Sequence, residues 1–100
     1  MEKLKLKNGN EVNLEITYIK LFEFQNKYKD IARDLIDTVV KKHSTDQETI
    51  MQLIYVGYLG GKNEEPTLNY YEFLELLGFD YARDLTLFSK LVKQENDEKN

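Results

Sequence analysis

The spacing of apolar residues changes once along the chain, near residue 17, and this change limits the folds open to it. From residue 3 to residue 17 apolar and polar residues alternate, on both sides of Asn8-Gly9-Asn10. A period of two is typical of a β-strand with one buried face, and an Asn-Gly pair between two such runs is typical of a hairpin. After residue 17 apolar residues recur every three or four positions, as in an amphipathic helix. The sequence therefore predicts an N-terminal β-hairpin followed by helices.

The alternation also distinguishes two hairpin registers. A two-residue turn would place the apolar residues of the two strands on opposite faces, whereas a three-residue loop places them all on one face. This second register pairs Leu6 with Val12 and Leu4 with Leu14. It also predicts a left-handed backbone conformation for Asn10. Because two strands alone are marginal in water, their apolar face must rest on the helices or on another subunit.

The next segment predicts one long helix over residues 18–42. Its apolar stripe consists of Leu21, Phe24, Tyr28, Ile31, Leu35 and Val39, widened by Phe22, Ala32 and Ile36. Lys41 and Lys42 lie where positive charge favours the C-terminal end of a helix dipole, and His43 follows them. The run Ser44-Thr45-Asp46-Gln47 then predicts the capped start of a second helix.

The second predicted helix, at about residues 46–59, is unusually apolar. Eight of its eleven residues from Thr49 to Leu59 are apolar, which exceeds what a one-sided amphipathic helix needs. Either this helix is central or one of its faces meets a partner. Gly60-Gly61 predicts its end.

Local signals also predict a short third helix and a last helix. Asn69 and Glu72 form a capping pattern at the start of the third, and Gly78 predicts its end. Asp80 predicts the cap of the last helix, at about residues 80–93. The apolar stripe of that helix consists of Tyr81, Leu85, Phe88 and Val92, with Ala82 and Leu91 beside it.

These elements predict one small, mainly α domain. The hairpin occupies residues 1–17, about four helices occupy residues 18–93, and a flexible polar tail occupies residues 94–100, which contain no apolar residue. A chain of 100 residues is long enough for one domain of ordinary size.

The amino-acid composition argues against several classes of function. The chain has no Cys, a single His and a net charge of −4, which disfavour thiolate chemistry, metal sites and binding to nucleic acid. We expect no cofactor and no metal. The longest mostly apolar stretch, Ile50 to Leu59, is too short to span a bilayer, so we expect a soluble cytoplasmic protein without membrane contact.

Candidate catalytic groups have a simpler structural interpretation. Asp30, Asp34 and Asp37 share one side of the predicted helix, but Arg33 lies three residues from the first and four from the last. This pattern is typical of a solvated, ion-paired face. Neither Ser44 nor Ser89 lies in a nucleophile motif. We therefore predict no catalytic residue and no enzymatic activity.

The density of aromatic and leucine residues in the second and third helices favours a protein-binding role. A domain of this size cannot easily enclose all of them, and exposed Tyr and Phe are common interface anchors. The predicted partner-binding residues are Tyr55, Tyr58, Tyr70, Tyr71, Phe73 and Leu77.

The order of elements resembles a known family. A charged hairpin and a long helix are followed by Leu68-Asn69-Tyr70-Tyr71-Glu72-Phe73-Leu74-Glu75-Leu76-Leu77-Gly78-Phe79-Asp80, and the last helix closes with Leu87-Phe88-Ser89-Lys90-Leu91. This pattern resembles the tail assembly chaperones of long-tailed phages, especially those of Gram-positive hosts.

The resemblance implies a role in viral morphogenesis. Such a chaperone binds the tape measure protein in the host bacterial cytoplasm, helps bring the tail tube protein to it and is absent from the mature virion. Family members are often made in two lengths by ribosomal slippage, so contact with the tube protein is expected through a frameshifted longer form. The final Glu98-Lys99-Asn100 can be encoded as GAA-AAA-AAC, which contains the slip-permissive heptamer A-AAA-AAC. We also expect a homo-oligomer joined by hairpin edges.

A small regulatory binding module of phage or plasmid origin, repressor-like or an adaptor, is the main alternative. Two helices meet at Leu77-Gly78-Phe79, as in a helix-turn-helix. The helix that follows offers only Arg83 near its start and also carries Asp80 and Asp84, which suits a DNA groove badly. A small hydrolase is a more distant alternative.

Overall fold

Helices form most of the fold, and the single described hairpin lies against them. The computed structural model describes residues 2–32, 35 and 46–97. Their elements are the strands β1 (Glu2–Lys5) and β2 (Glu11–Leu14) and the helices α1 (Tyr18–Lys27), α2 (Lys29–Ala32), α3 (Gln47–Gly60), α4 (Tyr70–Leu77) and α5 (Tyr81–Asp97). The predicted mainly α domain with an N-terminal hairpin is confirmed.

The hairpin register differs from the prediction by two residues. Leu4 pairs with Val12, whereas Leu14 pairs with Glu2. A shift of two leaves every side chain on its predicted face, so the apolar residues of both strands are still buried. The loop is longer than predicted, and Gly9, with φ of 89°, adopts the left-handed conformation assigned to Asn10.

Backbone hydrogen bonds attach the hairpin to the helices at two places. The Lys7 N–H donates to the Leu76 carbonyl over 2.8 Å, at the C-terminal end of α4. The Glu15 N–H donates to the Gly57 carbonyl over 2.9 Å, in the last turn of α3. The apolar face of the hairpin thus rests on the helices of its own chain.

The predicted long helix is interrupted at Tyr28. The backbone there has φ of −115° and ψ of 51°, which ends α1, and α2 begins one residue later. The Tyr28 hydroxyl accepts the Tyr70 N–H at 3.3 Å, and the Tyr28 ring contacts the rings of Phe24 and Tyr70. We attribute the interruption to these tertiary contacts, which an apolar stripe cannot reveal.

Several predictions fall on residues that the structure does not describe. These are the helical continuation at residues 33, 34 and 36–42, the charged ends at Lys41 and Lys42, and the residues His43, Ser44 and Thr45. Leu35, which the structure describes, is buried as predicted.

The central position of α3 explains its apolar composition. Ten of its residues are buried, and the elements packed against it include β2, α1, α4 and α5. Asp46 caps its first turn by accepting the Thr49 N–H at 3.4 Å. Of the two interpretations open for this helix, the central one is confirmed.

Glycines let the last turn of α3 approach β2 closely. A Cβ atom at Gly60 would overlap the Glu15 carbonyl oxygen, and one at Gly61 would overlap the Asn13 carbonyl oxygen. At Gly57, one turn earlier, a Cβ atom would meet its nearest neighbour, the Leu14 Cβ, at 3.4 Å, an ordinary contact. The close approach is therefore confined to the end of the helix.

The predicted local signals around α4 and α5 are confirmed. Asn69 and Glu72 form a reciprocal capping box, Gly78 ends α4 with φ of 73°, and Asp80 accepts the Arg83 N–H at 3.1 Å. The last helix ends later than predicted: α5 continues past residue 93 to Asp97, through part of the predicted tail. Residues 98–100 lie outside the described chain.

The buried face of α5 differs from its predicted stripe. Phe88 and Leu91 are buried as expected, but Tyr81 and Ala82 are exposed. From residue 81 to residue 92, the part of α5 whose side chains the structure describes, the buried positions are Asp84, Leu87, Phe88 and Leu91, which follow helical spacing. The first buried position of this stripe is the carboxylate Asp84. A search for apolar periodicity counts a carboxylate as polar, so it predicted the wrong side of the first turn of α5 to be buried.

Substituting Gly60 tests the close approach between α3 and β2. We expect Gly60→Ala to lower the free energy of unfolding by about 1–3 kcal/mol, because the methyl group must displace backbone. Gly57→Ala is the matched control, since the same change in the same helix meets only an ordinary contact and improves helix propensity by up to about 1 kcal/mol. Urea unfolding of the two variants measures both effects, and equal stabilities would contradict the close approach.

Candidate functional site

Five of the six predicted partner-binding residues belong to the core. Tyr55, Tyr58, Tyr70, Phe73 and Leu77 are buried, so the folded chain cannot present them to a partner. Their assignment as contact residues is corrected accordingly. Four of them form an aromatic cluster with two residues of the α1–α2 segment; its members are Phe24, Tyr28, Tyr55, Tyr58, Tyr70 and Phe73.

Tyrosine hydroxyls explain why this cluster is enclosed without unpaired polar atoms. The Tyr55 hydroxyl donates to the Leu68 carbonyl at 2.8 Å, and the Tyr58 hydroxyl accepts the Leu68 N–H at 2.9 Å. Burial raises the pKa of the Tyr55 and Tyr70 hydroxyls well above their usual range, with neighbouring Tyr28 adding to the effect at both. These tyrosines are neutral structural groups that position the segment before α4.

Tyr71 is the exposed member of the predicted set. Its side chain is 63% exposed, and its ring lies 6.5 Å from that of Tyr28. It borders a shallow concavity of about 430 Å³ at the α1–α2 interruption, whose other lining residues include Lys27, Lys29 and Asp30. Of the six residues, Tyr71 alone remains available for partner contact.

A second exposed apolar surface lies on α1. Ile19 is 70% exposed and Phe22 is 50% exposed, and Tyr18 beside them is also exposed. Residues three and four apart are neighbours on a helix surface, so these three side chains form one patch, which we call the α1 patch. Phe22 had been predicted to widen the buried stripe, and its exposure corrects that assignment.

The α1 patch is adjacent to charged groups rather than to further apolar surface along its own helix. Lys20 and Glu23 form an ion pair of 3.1 Å on the exposed part of α1. The opposite side of the helix buries Leu21 and Phe24. The patch is therefore distinct from the core-facing stripe and has the composition of an interface centre with a polar rim.

Phe79 is a further exposed aromatic residue, between α4 and α5. Its side chain is 76% exposed, and Tyr81, two residues later, is also exposed. Phe79 is the single residue between Gly78, which ends α4, and Asp80, which caps α5. No sequence signal beyond this short connection indicated its exposure.

Arg83 and Asp84 form a structural pair at the same junction. The Asp84 side chain is only 2% exposed, and its carboxylate lies 2.9 Å from the Arg83 guanidinium, which also donates to the Gly78 carbonyl. Burial raises the pKa of the Asp84 carboxyl, while the hydrogen bond and charge of Arg83 oppose the shift. Arg83 is thus occupied within the fold, which weakens its assignment as a DNA contact.

A further concavity lies between the hairpin and residues 62–66. It has a volume of about 530 Å³ and is lined by apolar side chains, including Leu6, Val12 and Tyr58, and by charged ones, including Glu11, Lys62 and Glu64. Among the side chains that the structure describes, no three from His, Cys, Asp or Glu lie close enough together to hold a metal ion. No helix within residues 2–32, 35 and 46–97 has the length and apolar character needed to cross a membrane.

Comparison of the chain with known protein-family models, curated proteins and solved structures found no match.

The buried Asp84 carboxyl predicts a specific pH dependence. Because its pKa is raised in the folded state, the native protein binds this proton more tightly than the unfolded chain does. Its contribution to stability therefore falls as the pH rises from the ordinary Asp value of 3.8 through the raised value, and stays low above it. Asp84→Asn should accordingly gain stability relative to the unmodified protein on going from acid to neutral pH.

Urea unfolding of both proteins across this pH range measures the effect. Asp30→Asn is the control, because Asp30 is an exposed aspartate of α2 that does not contribute to the raised pKa of Asp84. A stability difference between Asp84→Asn and the unmodified protein that does not change with pH would contradict the assignment.

Proposed function

We propose that the protein is a non-enzymatic phage tail assembly chaperone that binds the tape measure protein through exposed apolar helical surface. The observation that carries the proposal is the α1 patch, an apolar area on the outer side of a helix whose inner side is already committed to the core. The sequence resemblance to tail assembly chaperones supplies the identity of the partner.

The physical chemistry of the client fits this surface. A tape measure chain carries long apolar helical stripes, which aggregate unless they are covered before the tube encloses them. An exposed Ile and Phe pair at helical spacing can pack against such a stripe as one helix packs against another. The net charge of −4 helps to keep the complex in solution.

The remaining partner assignments belong to the same proposal. The chaperone acts in the host bacterial cytoplasm, forms a homo-oligomer, contacts the tail tube protein through a frameshifted longer form and is absent from the mature virion. The regulatory-module alternative receives less support, because Arg83, its single basic residue near the start of α5, is engaged by Asp84 and by Gly78.

Disrupting the α1 patch tests client binding. We expect the double variant Ile19→Ser/Phe22→Ser to lose co-purification with the tape measure protein encoded in the same gene cluster, because both changes remove apolar contact area. Circular dichroism should stay native, since Ile19 is largely exposed and Phe22 is half exposed. Tyr71→Ser, made separately, tests the exposed member of the set predicted from sequence.

The matched control is the double variant Lys20→Ser/Glu23→Ser. It changes two neighbouring positions of the same helix but removes only a surface ion pair, which contributes about 0–1 kcal/mol to stability. Undiminished capture of the tape measure protein by the α1 patch variant, with the fold intact, would contradict the proposed binding surface.

The gene itself provides an independent test. We expect it to lie between the tail tube and tape measure genes and to carry the heptamer A-AAA-AAC in the codons for Glu98-Lys99-Asn100, with an open minus-one frame after it. Sequencing the locus checks both features. Codons GAG-AAG-AAT for Glu98-Lys99-Asn100, with no overlapping frame, would remove the support for a longer form.

A further inference from the structure

The hairpin leaves one strand edge open, and its backbone geometry shows which one. In an antiparallel pair, the N–H and C=O of one residue point to the same side, and successive residues alternate. The Leu6 N–H donates to the Asn10 carbonyl over 2.8 Å, so Leu6 faces β2. Lys3, Lys5 and Lys7 therefore direct their backbone groups away from β2.

Part of this outer edge of β1 is open. At Lys7 it is covered by α4, through the bond from the Lys7 N–H to the Leu76 carbonyl. The backbone groups of Lys3 and Lys5 have no hydrogen-bond partner among the described residues. Two consecutive outward-facing residues present two donors and two acceptors to an added strand.

The outer edge of β2 is closed by comparison. The Asn63 side chain there satisfies both outward backbone groups of Asn13. Its Oδ1 accepts the Asn13 N–H at 2.6 Å, and its Nδ2 donates to the Asn13 carbonyl at 2.9 Å. Glu15, two residues on, bonds to the end of α3. With respect to the described residues, only Glu11 remains open on this side, which is too little for strand pairing.

Charge selects the kind of strand that can pair with β1. The Lys3, Lys5 and Lys7 side chains all lie on the exposed face of the hairpin. Lys3 is 3.7 Å from Glu11, whereas Lys5 and Lys7 make no ion pair with any described residue. Residues directly opposite each other on paired strands are stabilising when their charges differ and destabilising when they are alike.

A second copy of β1 is disfavoured by the same rule, so the proposed homo-oligomer must be joined by a surface other than paired β1 edges. Antiparallel pairing of two β1 strands that keeps their apolar residues on one face places lysine opposite lysine. An added strand with Glu or Asp at alternate positions instead places carboxylates opposite Lys3 and Lys5. Apolar residues between the acidic ones would then lie on the same face as Leu4, next to the core.

We propose that the outer edge of β1 is a docking site for an extended segment of another protein, in which acidic residues alternate with apolar ones. The segment adds a third strand to the hairpin by hydrogen bonding to the backbone of Lys3 and Lys5. This site uses neither the α1 patch nor the tape measure protein, so it stands or falls separately from the proposed function.

The experiment is a titration of the full chain with the peptide acetyl-Glu-Val-Glu-Val-Glu-amide, followed by amide signals in proton–nitrogen correlation spectra. We expect the largest shifts at the Lys3 and Lys5 amides and slower amide hydrogen exchange at both. The charge-reversed peptide acetyl-Lys-Val-Lys-Val-Lys-amide should produce no shift there. Absence of shifts with the acidic peptide, or equal shifts with both peptides, would overturn the proposal.

Two variants distinguish strand addition from simple charge attraction. Lys5→Pro removes an outward N–H and leaves the bonds between β1 and β2 in place, so the dissociation constant should rise by about tenfold or more. Glu11→Pro is the matched control, because Glu11 is paired with Lys5 and its N–H faces the other edge. It should not weaken binding, because loss of the Glu11 carboxylate beside Lys3 can only favour an acidic strand. Equal losses in the two variants would overturn the edge assignment.

A further variant avoids dependence on proline. Lys3→Ala/Lys5→Ala keeps every N–H but removes both charges, so it should weaken binding of the acidic peptide and reduce its sensitivity to salt. Unchanged binding would overturn the charge argument. Shifts at Lys3 and Lys5 that grow with protein concentration without peptide would identify a second copy as the occupant, which also overturns the proposal.

Discussion

The fold depends on the need of buried tyrosine hydroxyls for hydrogen-bond partners. A hydroxyl enclosed without a partner is strongly unfavourable, and α3 carries two tyrosines into the core. Both find partners on one residue, Leu68, whose carbonyl and N–H are taken by Tyr55 and Tyr58. Tyr28 accepts the N–H of Tyr70 in the same way. The start of α4 is therefore held by side chains from two other segments.

This arrangement changes where the protein can meet a partner. Most of the aromatic rings predicted to bind a partner instead pack against one another between α1, α3 and α4. The large apolar side chains left exposed lie elsewhere, on α1, at Tyr71 of α4, and at Phe79 and Tyr81 around the start of α5. A buried aromatic cluster and an exposed apolar patch thus coexist on α1, on opposite sides of the same helix.

The sequence predicted those features of the fold that depend only on interactions between residues close together in the chain. The strand alternation, the capping box at Asn69 and the helix end at Gly78 are each determined within a few residues, and all agree with the structure. The hairpin register and the interruption at Tyr28 depend on contacts between distant segments, so spacing alone could not predict them. The first turn of α5 was misplaced because Asp84, a carboxylate buried beside Arg83, counts as polar in any hydropathy pattern.

The candidate surface was harder to predict than the fold for a related reason. The composition shows that the chain is rich in aromatic residues. Whether each of them is buried depends on which face of its helix packs against the core. Phe22 lies only two residues from the buried Phe24, yet it is half exposed. Tyr71 likewise follows the buried Tyr70 directly.

The Asn63 side chain makes the two hydrogen bonds to the Asn13 backbone that a third strand would otherwise make. Its amide carries a donor and an acceptor at the spacing of a peptide group, and the donor also reaches the Tyr58 carbonyl at 2.9 Å. Aspartate has the same shape but would set a carboxylate oxygen against two carbonyl oxygens. Insertions between residues 64 and 66 should accordingly be tolerated far better than any change in the distance from Gly61 to this amide.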